Sequence, residues 1–181
     1  MNKRIEQTIN KLYLSLKNVA KDKLYDDIII QDILDDAKTS RSTYYKYFKA
    51  KDDLVLYMFR RIFKHSFNIS EDSDKISISK EDFVKGIANI FLYVYSENTL
   101  ITSIFNSKNN SKLFFEINTI LKPYIQYGLE KGYFKQSTLP SDLHLKHLLN
   151  DFTFFTFVWV NENFKTNYKT IGNYYIQMNL A

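Results

Sequence analysis

The sequence contains no cysteine and little glycine or proline. The absence of cysteine excludes disulfides and thiolate metal sites, and it fits the reducing cytoplasm, where we expect this chain to act. Only four Gly and two Pro in 181 residues argue against an all-β fold built on tight turns. The longest strongly apolar run, Phe152 to Val160, is far shorter than the roughly 20 residues that span a bilayer. The first residues, MNKRIEQTINKLYLSL, indicate a charged amphipathic helix and not a signal peptide. We therefore expect no membrane partner.

Acidic residues are missing from one stretch, and positive charge is concentrated around it. Lys38 to Lys51 contains five basic residues and no acid. Residues 1–64 hold 14 Lys and Arg against 9 Asp and Glu, which gives +5, whereas residues 65–181 hold 11 of each. The whole net charge of +5 thus lies in the N-terminal part, as neutralisation of nucleic-acid phosphates requires. A lysine-rich solvated face is the alternative, and charge alone does not decide between them.

Two short segments have the pattern of a helix-turn-helix. In the first, apolar residues recur at the spacing of a short helix with one buried face: Ile30, Ile33, Leu34 and Ala37. Lys38, Thr39 and Ser40 supply the three-residue turn that the motif needs, and Ser40 is a good helix N-cap. A second helix is predicted over residues 41–48.

The second helix carries side chains that suit a nucleic acid. Helical rotation puts Tyr44 and Phe48 on one face and turns Ser42, Tyr45 and Lys46 to the other. Hydrogen-bonding side chains at the start of a short helix reach base edges, while flanking lysines and tyrosines hold phosphates. We interpret this segment as a recognition helix that packs with one face and presents the other to DNA.

Residues from about Tyr25 to Val55 resemble the N-terminal signature of TetR-type transcriptional regulators. The likeness is carried by the Ser-Arg-Ser-Thr run, the Tyr-x-Tyr-Phe core and the Lys-Asp-Asp-Leu opening of the next helix. It implies an all-helical homodimer that binds a palindromic operator in double-stranded DNA through its N-terminal module. Its C-terminal domain would usually sense a small molecule.

The same resemblance implies which residues contact DNA. Base contacts are expected near Gln31, Arg41, Ser42 and Thr43. Phosphate contacts are expected from Tyr45, Lys46, Tyr47 and Lys51.

Two positions depart from the TetR pattern. Lys38 stands where the family usually has Gly, and a lysine with positive φ carries backbone strain. Ile29 stands where the family often has Thr, so one expected phosphate contact is missing. The substituted turn also resembles a subset of the family that includes activators of dihydroxyacetone kinase operons.

We predict an all-α fold of about nine helices in two parts. Residues 1–50 form a three-helix helix-turn-helix DNA-binding domain, and residues 51–181 form an effector-binding and dimerisation bundle whose first helix, about 51–68, links the two. The predicted helices cover residues 2–21, 28–37, 41–48, 51–68, 80–97, 99–107, 111–133, 141–161 and 167–180. Ser79 and Ser141 are expected to cap helices, Pro123 to kink or split one, and Gly132 to mark its end.

The helix predicted from Ser141 is apolar on every side. Such a helix must be covered on more than one side, either as a central core helix or by a partner molecule. Two recognition helices must also meet successive major grooves, which favours a dimer. We predict a four-helix contact across a twofold axis, formed by Phe152, Phe155, Trp159, Tyr168, Ile171, Tyr175 and Met178.

The C-terminal part is rich in aromatic residues that suit either a core or a pocket for a small hydrophobic or aromatic effector. The pocket is expected because the TetR resemblance implies one. The residues assigned to it are Tyr93, Phe105, Phe115, Asn118, Tyr124, Asn150 and Phe154.

Nothing in the sequence indicates an enzyme. The four glycines are scattered, so there is no Gly-rich phosphate loop, and no nucleophile elbow is found. His144 and His147 have helical i, i+3 spacing but lack further ligands at matched distance. We expect no metal and no cofactor.

The favoured interpretation is a sequence-specific transcription regulator, most simply a repressor released by a small-molecule effector. The first alternative keeps the fold but makes the protein an activator or co-regulator whose C-terminal domain binds a partner protein. A pocket too small for a ligand, beside an exposed apolar patch, would favour it. The second alternative is a helical interaction protein that has lost DNA binding.

Overall fold

The computed structural model describes residues 3–70, 73, 75–108 and 110–181. Within these ranges the chain forms nine α-helices and one short 3-10 turn, Tyr25–Asp27, and its only sheet-like pairing is an isolated bridge between Phe134 and Leu180. The all-α prediction is confirmed. The helices are α1 (Lys3–Val19), α2 (Ile30–Ala37), α3 (Arg41–Tyr45), α4 (Lys51–Ser66), α5 (Lys80–Ser96), α6 (Asn98–Phe105), α7 (Asn110–Glu130), α8 (Ser141–Asn161) and α9 (Tyr168–Asn179).

Local signals predicted most helix ends but not all. Ser79 caps α5 by accepting a hydrogen bond from the Asp82 N–H at 3.1 Å. By contrast, α8 has Pro140 at its N-cap with no side-chain cap, so the capping role predicted for Ser141 is wrong. Pro123 does not split the predicted helix, because α7 runs on through it as one element with buried residues on both sides.

Helix α4 connects the two parts of the molecule. It contacts α1 on the N-terminal side and both α5 and α7 on the C-terminal side. Leu54, Val55 and Phe63 of this helix are almost fully buried, and they belong to one hydrophobic core that continues through both parts. The two parts of the chain are therefore packed together through α4.

Helix α8 is covered from inside the same chain. Its inner face packs on α5 and α9, where the Phe91 ring lies 5.1 Å from Phe152 and 6.1 Å from Tyr175. Trp159 is fully buried and donates its indole N–H to the Thr166 carbonyl at 2.7 Å.

Most residues predicted to form the dimer interface are consequently core residues. Phe152, Trp159, Ile171 and Tyr175 are buried within one chain, and Phe155 and Tyr168 are partly buried against that core. Met178 alone of the seven is strongly exposed, at 59%. The prediction failed for the buried four because the aromatic face of α5 covers them.

None of the helices in the described ranges combines the length and apolar character needed to cross a bilayer.

Candidate nucleic-acid interface

The turn between α2 and α3 depends on an unusual backbone position at Lys38. This residue ends α2 with φ 47° and ψ 52°, in the left-handed region. The turn closes through the Thr39 N–H, which donates to the Leu34 carbonyl at 3.1 Å. Lysine therefore occupies a conformation that glycine adopts more readily, because a Cβ crowds the backbone there.

Helix α3 begins in a cluster of hydroxyl groups. The Ser40 hydroxyl accepts the Thr43 N–H at 3.2 Å, as the sequence predicted for an N-cap. Its oxygen also lies 2.9 Å from the hydroxyls of Ser42 and Thr43. The three hydroxyls thus share hydrogen bonds at the exposed end of the helix.

The two faces of α3 separate as predicted. Tyr44 and Phe48 are buried, and the Tyr44 phenol donates to the Ala50 carbonyl at 3.0 Å. Ser42, Tyr45 and Lys46 are exposed on the other side, and Tyr45 retains 53% of its surface. The helix itself is shorter than predicted, because after Tyr45 the chain tightens into a turn in which the Tyr47 N–H donates to the Tyr44 carbonyl.

Gln31 and Arg41 meet between the two helices of the motif. The Arg41 Nε donates to the Gln31 side-chain carbonyl at 3.0 Å, and the Gln31 amide nitrogen donates to Asp35 at 2.7 Å. Two of the predicted base-contacting residues are therefore joined in one network at the exposed surface.

Lys51 differs from its predicted role as a phosphate contact. Its ammonium donates to the Tyr25 and Ile28 carbonyls, the second at 2.8 Å, and lies 4.5 Å from the centre of the Tyr25 ring. Burial lowers the pKa of the Lys51 ammonium, although Asp52 and other nearby carboxylates oppose that effect. The side chain fastens the 3-10 turn to the start of α4 and is not presented to solvent as a free cation.

Tyr25 strengthens the same junction. Its buried phenol donates to Asp52 at 2.6 Å, and burial together with this bond raises its pKa above the ordinary value. Asp53 accepts the backbone N–H groups of Lys49 and Ala50 at 2.8 and 3.0 Å. These contacts hold α3 against α4.

A groove between α1 and α3 was not predicted. It is open, has a volume of about 540 Å³, and is lined on its polar side by Arg4, Thr8, Lys11, Thr39, Thr43, Lys46 and Tyr47. Residues 4, 8 and 11 lie on one face of α1, and this i, i+4, i+7 spacing is a sequence signal from which the groove could have been predicted.

Ile29 is exposed beside the motif. It retains 60% of its surface and stands at the N-cap of α2, where it makes no side-chain cap. Asp32 instead accepts the Ile29 N–H at 2.9 Å, and a hydrogen bond from Lys23 lowers the pKa of that carboxyl. The position thus lacks both a capping hydroxyl and a phosphate-binding hydroxyl.

The C-terminal bundle contains an apolar cavity of about 40 Å³. Phe105 and Asn118 line it, as predicted for effector contacts, and the Asn118 amide pairs with the Thr153 hydroxyl at 2.9 Å. The volume accommodates about one water molecule, whereas ligand pockets usually measure about 300 Å³ or more.

The other predicted effector contacts lie elsewhere. Phe115 and Phe154 are exposed, at 72% and 63%, and Asn150 is exposed as well. Tyr124 is buried in a stack with Phe67, with ring centres 4.8 Å apart, and Tyr93 is only partly buried on α5. The described residues contain no cluster of three or more His, Cys, Asp or Glu that could hold a metal ion.

Comparison with known proteins identifies the fold. No protein-family model and no curated protein matches the chain. Three similar solved structures are a TetR regulator from Streptococcus agalactiae (19% identity, 97% of this chain and 95% of that one, TM-score 0.66), the dihydroxyacetone kinase operon activator DhaS (17%, 94% and 93%, 0.65), and FadR from Bacillus subtilis in complex with stearoyl-CoA (18%, 92% and 96%, 0.58).

The fold and the site together define an all-helical protein with an exposed helix-turn-helix. The likeness covers nearly the whole chain and nearly the whole of each similar structure. The fold is that of the TetR-type transcriptional regulators, as the sequence resemblance implied.

Proposed function

We propose that this protein is a sequence-specific DNA-binding transcription regulator that acts as a homodimer. The observation that carries the proposal is the division of α3, with Tyr44 and Phe48 anchored in the core and Ser42, Tyr45 and Lys46 exposed. A short, firmly seated helix with a polar outer face is what major-groove recognition requires.

The exposed groups divide by chemistry into two kinds of DNA contact. Arg41, Ser42, Thr43 and Gln31 face base edges, because they lie around the start of α3. Lys46, Tyr45 and Tyr47 hold phosphates on either side, and the groove with Arg4 and Lys11 receives the sugar–phosphate backbone. Lys51 contributes by holding the motif together.

The dimer contact is proposed for the outer faces of α8 and α9. Exposed apolar residues remain there after the core has formed: Phe154 on α8, and Tyr174 and Met178 on α9. The Phe154 ring contacts the ring of Phe155, and the Phe155 ring in turn lies 5.9 Å from that of Tyr175 in the core. A second copy that covers these residues would give the predicted four-helix contact, with Met178 kept from the first assignment and Phe154 and Tyr174 in place of its buried residues.

The finer proposal is a repressor that a small hydrophobic effector releases from its operator. FadR from Bacillus subtilis, whose structure holds stearoyl-CoA, supports it by fold analogy. An effector that enters beside Phe105 and Asn118 must enlarge the 40 Å³ cavity and displace α6.

That displacement reaches the DNA-binding part through α1. At the start of α6, Glu97 accepts hydrogen bonds from Tyr13 and Lys17 of α1, both at 2.8 to 2.9 Å. A shift of α6 therefore pulls on α1 and changes the spacing of two recognition helices in a dimer.

A partner-binding activator or co-regulator is the second candidate. The small cavity and the exposed Phe115, Phe154 and Phe157 favour it, as does the similarity to DhaS, an operon activator. Calorimetry with stearoyl-CoA and with phenol separates the two candidates. Only the effector mechanism predicts that the protein binds one of these ligands and that Phe105→Trp, which fills the cavity, abolishes the binding.

The DNA-binding proposal is tested with single variants and an operator selected from random duplexes. Arg41→Ala should relax base preference at one position of each half-site. Lys46→Ala should weaken all duplexes alike and lower the slope of log affinity against log salt by about 1 for each lost phosphate contact. Lys122→Ala, which removes an exposed charge on α7, is the matched control. If Arg41→Ala and Lys46→Ala both bind like wild type, the site assignment fails.

The dimer proposal is tested by light scattering at micromolar concentration. Wild type should have twice the chain mass of 21.6 kDa, and Phe154→Lys should be monomeric because the contact would bury an unpaired charge. Phe115→Lys places the same charge on an equally exposed aromatic position of α7 and should stay dimeric. A monomeric wild-type protein would refute the proposal.

A further inference from the structure

Asp35 is an exposed acid beside a group of exposed basic residues. Those near α3 are Lys38, Arg41, Lys46 and Lys49. A carboxylate among them weakens the attraction for phosphates, so electrostatics alone disfavours it at a DNA interface. Its contacts suggest a different use.

The carboxylate determines how the Gln31 amide is oriented. Asp35 Oδ1 accepts the Gln31 Nε2 at 2.7 Å, and a carboxylate accepts hydrogen bonds but donates none. The amide nitrogen of Gln31 must therefore point toward Asp35, and its carbonyl oxygen must point away. Without that acceptor the amide could rotate and present its N–H groups to Arg41, which has only donors to offer.

The oriented Gln31 in turn determines how Arg41 is presented. The Gln31 carbonyl oxygen accepts the Arg41 Nε–H at 3.0 Å. Within the described residues no hydrogen bond takes up the terminal Nη groups of Arg41. Those groups remain available for the bidentate contact to guanine O6 and N7, with the guanidinium plane held in one direction.

We propose that Asp35 is a positioning residue that sets the base preference of Arg41 by holding Gln31. The inference rests on the proposed DNA-binding function and adds a specific choice, guanine at one position of each half-site. Asp35 acts through Gln31 and touches no base itself.

Asp36 provides a matched control in the same helix. It is the next residue, it is exposed, and its carboxylate accepts a hydrogen bond from the Asn18 amide of α1 at 3.4 Å, with no bond to Gln31. Asp35→Ala and Asp36→Ala remove the same group and the same charge. Both should raise affinity for non-specific DNA to a similar extent.

The experiment measures affinity for the selected operator and for duplexes with the Arg41-contacted guanine replaced, at one salt concentration. Wild type and Asp36→Ala should prefer guanine by on the order of ten-fold. Asp35→Ala should lose most of that preference. In a Gln31→Ala background, Asp35→Ala should cause no further loss, which a role confined to helix stability would not predict. Thermal unfolding of each variant confirms that it is folded.

The possible outcomes distinguish a failure of the Asp35 positioning role from a failure of the proposed DNA-binding function. If wild type shows specific binding but Asp35→Ala discriminates as wild type does, the positioning role is wrong and the proposed function stands. The role is equally wrong if Asp36→Ala loses as much preference, or if the Asp35 effect persists in the Gln31→Ala background. If wild type prefers no duplex, the proposed function fails and this inference falls with it.

Discussion

Lys38 occupies the one backbone position of the helix-turn-helix where a side chain carries a steric cost. Its φ of 47° lies in the left-handed region, where a Cβ costs about 1–2 kcal/mol. The residue is exposed, so its side chain does not offset that cost by packing in the core. The turn nevertheless forms, because α2 and α3 are each anchored by buried residues on either side of it.

Lys38→Gly should therefore stabilise the protein. The relief of strain exceeds the greater freedom of glycine in the unfolded chain, which leaves a net gain of about 0.5–1 kcal/mol. Urea denaturation measures it. Lys38→Ala removes the same charge but keeps the Cβ, so it should show no such gain. Equal effects of the two substitutions would mean that charge, and not backbone strain, is responsible.

Lys51 and Lys46 were both predicted to contact phosphates, but their surroundings differ in a way that residue type does not reveal. Lys46 is exposed near the Tyr47 ring, whereas Lys51 is partly buried on backbone carbonyls. The difference depends on the 3-10 turn, whose carbonyls converge on Lys51 from more than 20 residues away. The TetR resemblance implied eight DNA contacts, and the tertiary structure gives Lys51 a different role.

At the scale of elements, α5 shapes the C-terminal bundle. Phe67, just after α4, is stacked between Tyr124 of α7 and Phe83 of α5, with ring centres 4.8 and 5.4 Å away. Gly86 lies directly beneath this ring. A Cβ at Gly86 would come within 2.2 Å of Phe67 Cδ1, and the ring has no room to move. Close approach of α5 to the ring stack therefore requires glycine.

Gly86→Ala should destabilise the protein by about 2 kcal/mol, because overpacking outweighs the higher helix propensity of alanine. Gly172→Ala in α9 is the matched control, since its Cβ would meet Phe91 at 3.3 Å. This contact is only slightly too close, so the gain in helix propensity of about 1 kcal/mol should offset its steric cost. Chemical denaturation measures the free energy of unfolding of both variants. Equal losses of stability would show that the Phe67 ring moves aside to make room for the added Cβ.

The prediction of elements succeeded where the signals are local. The spacing of Ile30, Ile33 and Leu34 and the Ser40 cap specify α2, the turn and the start of α3. The end of α3 was mispredicted, and of the two effects expected of Pro123 the structure excludes the split, because α7 continues as one helix that packs against α4 and α8. Dimer residues on α8 were mispredicted because nothing local tells which aromatic side is covered.

At the scale of the whole molecule, buried phenols link folding to pH. Burial raises the pKa of Tyr13, Tyr25, Tyr44 and Tyr175 above the ordinary value near 10. Carboxylates add to the effect at Tyr13 (Glu97), Tyr25 (Asp52) and Tyr44 (Asp53). Above pH 10 the unfolded chain loses these protons while the folded chain keeps them.

The free energy of unfolding should therefore be unaffected by these groups below pH 9 and should fall as pH rises above 10. Each group contributes a slope of about 1.4 kcal/mol per pH unit, or about 5 kcal/mol per unit for four. Urea denaturation between pH 8 and 11 measures it. Tyr25→Phe should reduce the slope by about a quarter, whereas Tyr45→Phe, which removes an exposed phenol, should not change it. If Tyr25→Phe leaves the slope unchanged, the assignment of this pH dependence to the buried phenols is wrong.

The sequence by itself determined the helical class, the helix-turn-helix and the charge that surrounds it, because helical spacing, capping and net charge are properties of neighbouring residues. Four features could be read only from the packed molecule. Lys51 fastens a turn, and the α8 aromatics Phe152 and Trp159 belong to the core. The apolar cavity has about the volume of one water molecule, and Asp35 acts on Arg41 through Gln31. Each of these depends on how one element packs against another, which spacing and capping along the chain do not specify.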